Sequence, residues 1–141
     1  MAAYDRVIGL DVGERRIGVA LSDPLGITAQ PLETYRRKHA DASADVNYLS
    51  GLIAEKNAGL IVCGLPLNMN GTEGPQAADT REFAQALSES SGVALEFIDE
   101  RLTTAMARRS LIEGGMRRDK RKNVIDQLAA VHILQTYLDK K

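Results

Sequence analysis

The chain has 141 residues, of which 44% are hydrophobic and 26% are charged, and its net charge is −1. This length suits one domain that buries roughly two-thirds of its unfolded surface, and the composition is typical of a soluble globular protein. A single cysteine excludes a disulfide framework, and two histidines with one cysteine exclude a zinc site of the usual spacing. No apolar run approaches the length of a membrane span.

The beginning of the chain leads directly into a predicted strand. Residues Met1–Leu10 leave no room for a signal peptide, so we expect a cytoplasmic protein. Cys63 lies in the apolar run LIVCG, where a small buried hydrophobe is a better interpretation than a nucleophile.

The first third of the sequence predicts three short strands joined by tight turns. The turn signals GER and DPLG separate three segments that are typical of strands. The predicted strands are Arg6–Val12, Arg16–Ser22 and about Gln30–Arg36. Strands this close in sequence form an antiparallel meander.

From residue 40 onward the pattern alternates between helices and strands. The predicted helices are about Asp41–Lys56, Gly74–Ser90, Thr104–Gly114 and Asn123–Leu138, and the predicted strands are Gly59–Cys63 and Ala94–Ile98. Such alternation indicates parallel strands joined by crossover helices. We therefore predict one α/β domain over residues 1–141, with a mixed five-stranded sheet flanked by helices.

Acidic residues stand at the ends of two predicted central strands. Asp11 lies in GLDVG, where the glycines allow another backbone or a phosphate to approach closely. Asp99 and Glu100 end the second strand, and because side chains alternate along a strand, only one of them can share a site with Asp11. The strand pattern does not choose between the two, and an acid at a strand end is also a common turn or helix-entry residue.

A third acid interrupts the apolar face of the final helix. Asp126 shares one stripe with Ala129, Ala130, Ile133 and Tyr137 at helical spacing. A buried carboxylate is costly unless it has a cation or a proton. Either a structural Lys or Arg or a divalent metal ion shared with the other acids would compensate it.

Three carboxylates at one edge of a sheet would form an oxygen-rich pocket for Mg²⁺ or Mn²⁺. Two such ions about 4 Å apart hydrolyse a phosphodiester by activating water and stabilising the leaving oxygen. This chemistry requires no side-chain nucleophile.

Positive charge is concentrated in residues 101–122, which carry eight Lys or Arg residues against two acids. The segment GGMRRDKRKN follows a Gly-Gly helix stop and has no apolar periodicity, so we expect an exposed, mobile basic loop. Such a loop suits phosphate backbones, although a solvated charge run explains the segment equally well. The candidate nucleic-acid-binding residues in it are Arg117, Arg118, Arg121 and Lys122.

Further candidates for nucleic-acid contact flank the predicted site. Arg15 and Arg16 follow Asp11, whereas the basic run at residues 36–38 is expected to be an ordinary solvated turn. The loop GLPLNMNGTEGPQ leaves a strand at the carboxyl edge of the sheet, where open α/β sheets bind ligands, and it offers Asn68 and Asn70. With 4% aromatic residues and no Trp, recognition by shape and backbone is favoured over base stacking.

Four segments carry a family resemblance: GLDVGERRIGVALSD, GLPLNMNGTEG, DERLTT and NVIDQLAAVHILQTYL. Together, in this order and spacing, they resemble the YqgF/RuvX family of Holliday-junction-resolvase-like or pre-16S rRNA nucleases in the ribonuclease H superfamily. The match runs from about Arg6 to Leu138. The resemblance implies a ribonuclease H-like fold and three catalytic, metal-binding carboxylates, which fall on Asp11, Glu100 and Asp126. It thereby selects Glu100 over Asp99.

The resemblance also implies cleavage of structured nucleic acid, with trimming of the 5′ end of 16S rRNA precursor as the usual bacterial role. Related junction resolvases carry a second acid one helical turn after the last catalytic Asp, where this chain has Ala129. Resolution of branched DNA is therefore the alternative, and simple RNA or DNA cleavage is favoured over it.

Two alternatives belong to other classes of protein. An actin-like phosphotransferase would clamp its nucleotide between two lobes, and 141 residues supply one. A non-catalytic nucleic-acid-binding protein would have no need of three acids beside a phosphate. The sequence leaves the oligomeric state open, including a homodimer.

Overall fold

The first three strands form the predicted antiparallel meander. A computed structural model of the protein describes the backbone of residues 6–38, 41–100 and 118–140, and the side chains of these residues except 118–126. The strands are β1 (Arg6–Val12), β2 (Arg16–Ser22) and β3 (Ala29–Arg36). Strands β1 and β2 are apolar at almost every position, which is typical of strands covered on both faces.

The rest of the described chain alternates between helices and strands. The elements are α1 (Ala42–Glu55), β4 (Ala58–Leu65), α2 (Pro75–Ser91), β5 (Ala94–Asp99) and α3 (Arg118–Lys140). Strand β4 pairs in parallel with β1 and with β5, and the sheet order is β3-β2-β1-β4-β5. The mixed sheet of five strands is confirmed.

Local sequence explains where helices α1 and α2 begin and end. The Asp41 side chain accepts a hydrogen bond of 3.1 Å from the Ala44 amide and so caps the start of α1. Helix α2 has Pro75 in its first turn and ends at Gly92, whose φ of 72° is the left-handed conformation that glycine adopts most easily.

Helices cover both faces of the sheet. One hydrophobic cluster joins α1 and α2 to the sheet face that carries Leu10, Ile17 and Cys63. A second joins α3 to the face that carries Val7, Val62 and Ile98, and its helical members are Ala130, Ile133, Leu134 and Leu138. We refer to these as the α1/α2 face and the α3 face.

Helix α3 runs in the opposite direction to β1. Near its beginning, Gln127 shares a hollow with Arg16 and Arg36, which lie at the carboxyl edge of β1. Near its end, the Gln135 carboxamide receives a 2.9 Å hydrogen bond from the Ala29 amide at the other edge of the sheet. The beginning of α3 therefore lies at the sheet edge that carries Asp11.

The final helix corrects one prediction from the sequence. Helix α3 begins at Arg118, five residues before the predicted Asn123, so Arg118, Arg121 and Lys122 are helical rather than part of a mobile loop. The absence of apolar periodicity suggested a loop, but Arg and Lys are good helix formers and no Gly or Pro follows Gly115 before the helix ends. Arg117 and the helix predicted at Thr104–Gly114 lie outside the described residues.

No helix within residues 6–38, 41–100 and 118–140 is long and apolar enough to cross a membrane.

Candidate functional site

Asp11 lies on the α3 face, near the carboxyl end of β1. It pairs with Gly18 of β2, and it is two residues beyond Gly9 on the same side of the strand. Helix α3 packs closely over Gly9: a Cβ there would lie 2.7 Å from Leu134 Cβ and 3.1 Å from the Ala130 carbonyl oxygen. The missing side chain thus lets α3 approach the strand that carries Asp11.

Glu100, not Asp99, lies on the same face as Asp11. Ile98 packs against α3, so alternation places Glu100 on that face and Asp99 on the other. The Glu100 amide donates a 3.3 Å hydrogen bond to the Leu65 carbonyl, which keeps the chain beside β4 after β5 ends. Its carboxylate then reaches back over Gly64, where a Cβ would lie 2.5 Å from Glu100 Oε2 and would also collide with Ile133 Cδ1.

Strand β4 runs between the strand that carries Asp11 and the strand that precedes Glu100. In β4, Cys63 pairs with Leu10, so the next residue, Gly64, is level with Asp11. Burial raises the pKa of the Cys63 thiol well above its ordinary value, and the negative charges of Glu100 and Asp11 raise it further. The thiol is therefore protonated and inert, as expected from the sequence. Its side chain lies on the α1/α2 face, whereas the two carboxylates meet at Gly64 on the α3 face.

The third predicted acid, Asp126, lies in α3 one turn before Ala130. Its backbone is at the end of the helix nearest Asp11, but its side chain lies outside the described residues. Among the described side chains, no three His, Cys, Asp or Glu residues form a group that could hold a metal ion. The two described carboxylates nevertheless fit Mg²⁺ or Mn²⁺, because both supply the oxygen ligands that these ions prefer.

The loop between β4 and α2 is organised by its own polar side chains. The Asn68 carboxamide donates a 3.0 Å hydrogen bond to the Thr72 hydroxyl, which in turn donates one of 2.6 Å to the Asn70 carboxamide oxygen. Leu67 and Glu73 pair across the base of the loop. Asn68 and Asn70 remain exposed, so the loop presents them in a fixed shape at the carboxyl edge of the sheet.

Arg15 and Arg16 flank the turn between β1 and β2. The turn is closed by a 2.9 Å hydrogen bond from the Gly13 amide to the Arg16 carbonyl. Arg15 is exposed, whereas Arg16 is half-buried. The other predicted nucleic-acid-binding residues are Arg118, Arg121 and Lys122, whose side chains lie outside the described ones, and Arg117, which is not described.

An ion pair on the α1/α2 face corrects the expectation of a solvated turn at residues 36–38. Arg37 Nε donates a 3.1 Å hydrogen bond to Asp45 Oδ2, and the Asp45 side chain is 1% exposed. Arg37 also donates to the Gly13 carbonyl at 2.9 Å and lies over the Phe83 ring. Arg37 thus braces the turn that follows Asp11.

The sequence analysis did not predict this ion pair, although the sequence contains a signal for it. Asp45 is on the same helical stripe as Leu49 and Leu52, so an acid points inward there, as at Asp126. Burial opposes ionisation of Asp45, but hydrogen bonds from the Lys38 amide, Arg37 and the Tyr35 hydroxyl outweigh it and hold its pKa below the ordinary value of 3.8.

Several proteins of known sequence are similar to this chain over nearly its full length. A relative from Syntrophomonas wolfei is 52% identical over 95% of this chain and 94% of its own length. Relatives from Clostridioides difficile and Moorella thermoacetica are 50% and 51% identical, each over 96% of this chain and 95% of their own lengths. All three carry the provisional name pre-16S rRNA nuclease.

Solved structures share the fold at much lower sequence identity. RuvC of T. thermophilus, in complex with a Holliday junction substrate, is 13% identical with a TM-score of 0.63 and covers 96% of this chain and 94% of its own. The fowlpox virus resolvase, in complex with Holliday junction DNA, is 8% identical with a TM-score of 0.59 and covers 96% and 97%. These likenesses confirm the ribonuclease H-like fold.

A model of one protein family also matches nearly the whole chain. The family model for RuvX, described as Holliday junction resolvase, matches residues 5–140. This chain belongs to the RuvX family.

Proposed function

We propose that this chain is a metal-dependent nuclease that hydrolyses phosphodiester bonds in structured nucleic acid, and that it processes the 5′ end of 16S rRNA precursor. One observation carries the chemical part of the proposal. Asp11 in β1 is level with Gly64, and the Glu100 carboxylate, just after β5, lies over Gly64 on the same face, the arrangement that a shared cation requires. The names of the relatives support the substrate.

The residues that would hold Mg²⁺ or Mn²⁺ are Asp11, Glu100 and Asp126. When bound, such ions activate water and stabilise the leaving oxygen of a phosphodiester. Asp11 is fixed by its place in a central strand, and Glu100 is fixed by the Leu65 hydrogen bond and the space over Gly64. Helix α3 would bring Asp126 to the same edge, since Ala130, one turn later, contacts β1 at Gly9.

Side-chain nucleophiles have no part in this scheme. The chain has one thiol, that of Cys63, which is fully buried and whose pKa is raised. A protonated, inaccessible thiol does not attack a phosphodiester. Water is therefore the attacking group in the proposed reaction.

The nucleic acid would be held by its backbone at the carboxyl edge of the sheet. Arg15 and Arg16 lie beside Asp11, and the ordered loop presents Asn68 and Asn70 at the same edge. Arg117, Arg118, Arg121 and Lys122 would add positive charge at the start of α3. These contacts recognise phosphates and shape rather than base sequence.

Branched DNA is the second candidate substrate. The family model is described as Holliday junction resolvase, and the two fold neighbours were solved with junction DNA. Ala129, however, is fully buried and offers no ligand where the related junction resolvases carry a second acid. We therefore favour the ribosomal RNA precursor. We further propose that the protein is cytoplasmic and that residues 1–141 form one nuclease domain.

The test is cleavage of two labelled substrates, an RNA that carries the 5′ precursor end of 16S rRNA and a four-way DNA junction. Each is incubated with Mg²⁺, Mn²⁺ or EDTA, with Asp11→Asn as the control for contaminating nuclease. We expect metal-dependent cutting of the RNA that Asp11→Asn abolishes. Preferred cutting of the junction would select the resolvase function, and binding of both without cutting would identify a non-catalytic binding protein.

A further inference from the structure

The hollow that Gln127 shares with Arg16 and Arg36 lies two strands away from Asp11, on the same face of the sheet. It has a volume of about 410 Å³ and is formed by strands β2 and β3 and the first described side chain of α3. Its lining residues are Arg16, Leu32, Glu33, Thr34, Arg36 and Gln127. We refer to it as the β3 groove.

Strand register places the β3 groove on the face that carries Asp11. Asp11 pairs with Gly18, and Gly18 pairs with Thr34, so the three residues form one row across β1, β2 and β3. Directly paired residues point to the same face of a sheet. Two strand spacings separate Asp11 from Thr34, which is about 10 Å.

The donors in the groove suit a phosphate. Arg16 and Arg36 are directly paired across β2 and β3, so two guanidinium groups line one hollow, together with the Thr34 hydroxyl and the Gln127 carboxamide. Guanidinium groups bind phosphate oxygens bidentately, and hydroxyl and amide groups add neutral donors. Arg36 is exposed, and no ion pair of Arg36 occurs among the residues that the structure describes.

The lining stays positively charged, because Arg16 and Arg36 outnumber its one acid, Glu33. Glu33 accepts a 2.6 Å hydrogen bond from the Tyr48 hydroxyl of α1. That bond raises the pKa of Tyr48 to about 12, so the carboxylate has a neutral donor as its partner. Strand β3 is also the edge of the sheet, which leaves the groove open to a long ligand.

We propose that the β3 groove binds a backbone phosphate of the nucleic acid other than the phosphate that is cleaved. The inference rests on the proposed function, and it assigns Thr34, Arg36 and Gln127 to substrate binding. Successive phosphates of one strand advance about 3.4 Å along a duplex axis, so about 10 Å corresponds to a few nucleotides. One strand therefore reaches the Asp11 site and the β3 groove together, which fixes its register at the acids.

The test measures binding of the full-length protein to the precursor RNA in EDTA, where no cleavage occurs, between about 50 and 200 mM salt. We expect Arg36→Gln to lower affinity about fivefold at low salt and to reduce the slope of log affinity against log salt by about one phosphate contact. Arg36→Lys should restore the slope. Arg6→Gln, at the other end of β1 and roughly 17 Å from Asp11, is the matched control.

An unchanged slope in Arg36→Gln would overturn the inference, and so would an equal effect in Arg6→Gln. Inorganic phosphate is the other source of the same chemistry. Phosphate could protect the wild type, but not Arg36→Gln, against thermal unfolding. If Arg36→Gln then binds RNA as tightly as the wild type, the groove is a site for free anions and the inference fails. Because binding is measured without metal, this experiment does not depend on cleavage. The inference about the β3 groove and the proposed nuclease function can therefore fail independently.

Discussion

Gly64 allows the Glu100 carboxylate to lie over β4. A Cβ at this position would meet Glu100 Oε2 at 2.5 Å and would collide with Ile133 Cδ1. The Glu100 carboxylate is the end of a flexible side chain, but Ile133 is fully buried and its Cγ1 would lie only 3.1 Å from the new Cβ, so we expect Gly64→Ala to fold with a loss of about 1–3 kcal/mol of stability. Displacing the carboxylate by about 1 Å should slow cleavage about 100-fold, which single-turnover kinetics would measure.

Gly51→Ala is the matched control for this change. Gly51 lies in α1, and a Cβ there would meet no atom within 4 Å. Alanine in a helix interior is favoured over glycine, so this variant should gain about 0.5–1 kcal/mol of stability and cleave normally. A Gly64→Ala protein that cleaves at the wild-type rate would show that Glu100 need not lie over Gly64.

The Asp45 carboxylate stabilises the fold in a pH-dependent way. Asp45→Asn leaves the half-buried Arg37 without its counter-charge, and we expect a loss of about 2–3 kcal/mol at neutral pH. The folded-state pKa of Asp45 lies below 3.8, so this stabilisation is fully present above that pH and is lost as the pH falls through the folded-state value.

Urea unfolding of wild type and Asp45→Asn across a pH series would check this expectation. The difference in free energy of unfolding should be constant above the ordinary Asp pKa of 3.8 and should shrink below it. A difference that grows on acidification would mean that the pKa of Asp45 is raised in the folded protein instead.

At the scale of elements, the position of α3 depends on close contact with β1. A Cβ at Gly9 would lie 2.7 Å from Leu134 Cβ and 3.1 Å from the Ala130 carbonyl, so backbone as well as side chain opposes it. We expect Gly9→Ala to lose about 1–3 kcal/mol of stability and to lose cleavage, because α3 carries Asp126. Thermal unfolding and cleavage would be measured on the same preparation. A stable Gly9→Ala protein with full activity would show that cleavage does not depend on the close packing of α3 against β1.

The sheet could be predicted from the sequence because β1, β2 and β4 are nearly continuous apolar runs and turn residues separate the strands. The start of α3 could not, since Arg118–Lys122 has charged residues at every position and a hydrophobic pattern has nothing to detect there. Asp11 and Glu100 stood out as acids at strand ends, but their convergence over Gly64 depends on the parallel register of β4 and β5. The Arg37–Asp45 pair was missed because the basic run was interpreted by charge alone.

At the scale of the whole molecule, the charge distribution matters more than the net charge of −1. Residues 101–122 hold eight of the 18 Lys and Arg residues, and this segment ends within α3 at the edge that carries Asp11. Replacing Arg117, Arg118, Arg121 and Lys122 with Gln should reduce the salt dependence of nucleic-acid binding, by up to about four phosphate contacts. A matched set of substitutions elsewhere on the surface should leave the slope unchanged. If the two sets of variants show the same salt dependence, this basic segment does not contact the nucleic acid.

The central claim is that Asp11 and Glu100 act together on one shared cation. The most direct measurement is a double-mutant cycle on metal-dependent cleavage of the precursor RNA, with Asp11→Asn, Glu100→Gln and the double variant, each shown to be folded by thermal unfolding. Groups that act as a unit are strongly non-additive, so we predict that each single change removes nearly all activity and that the double change removes no more. Multiplicative losses, or a single variant that cleaves at the wild-type rate, would contradict a shared site.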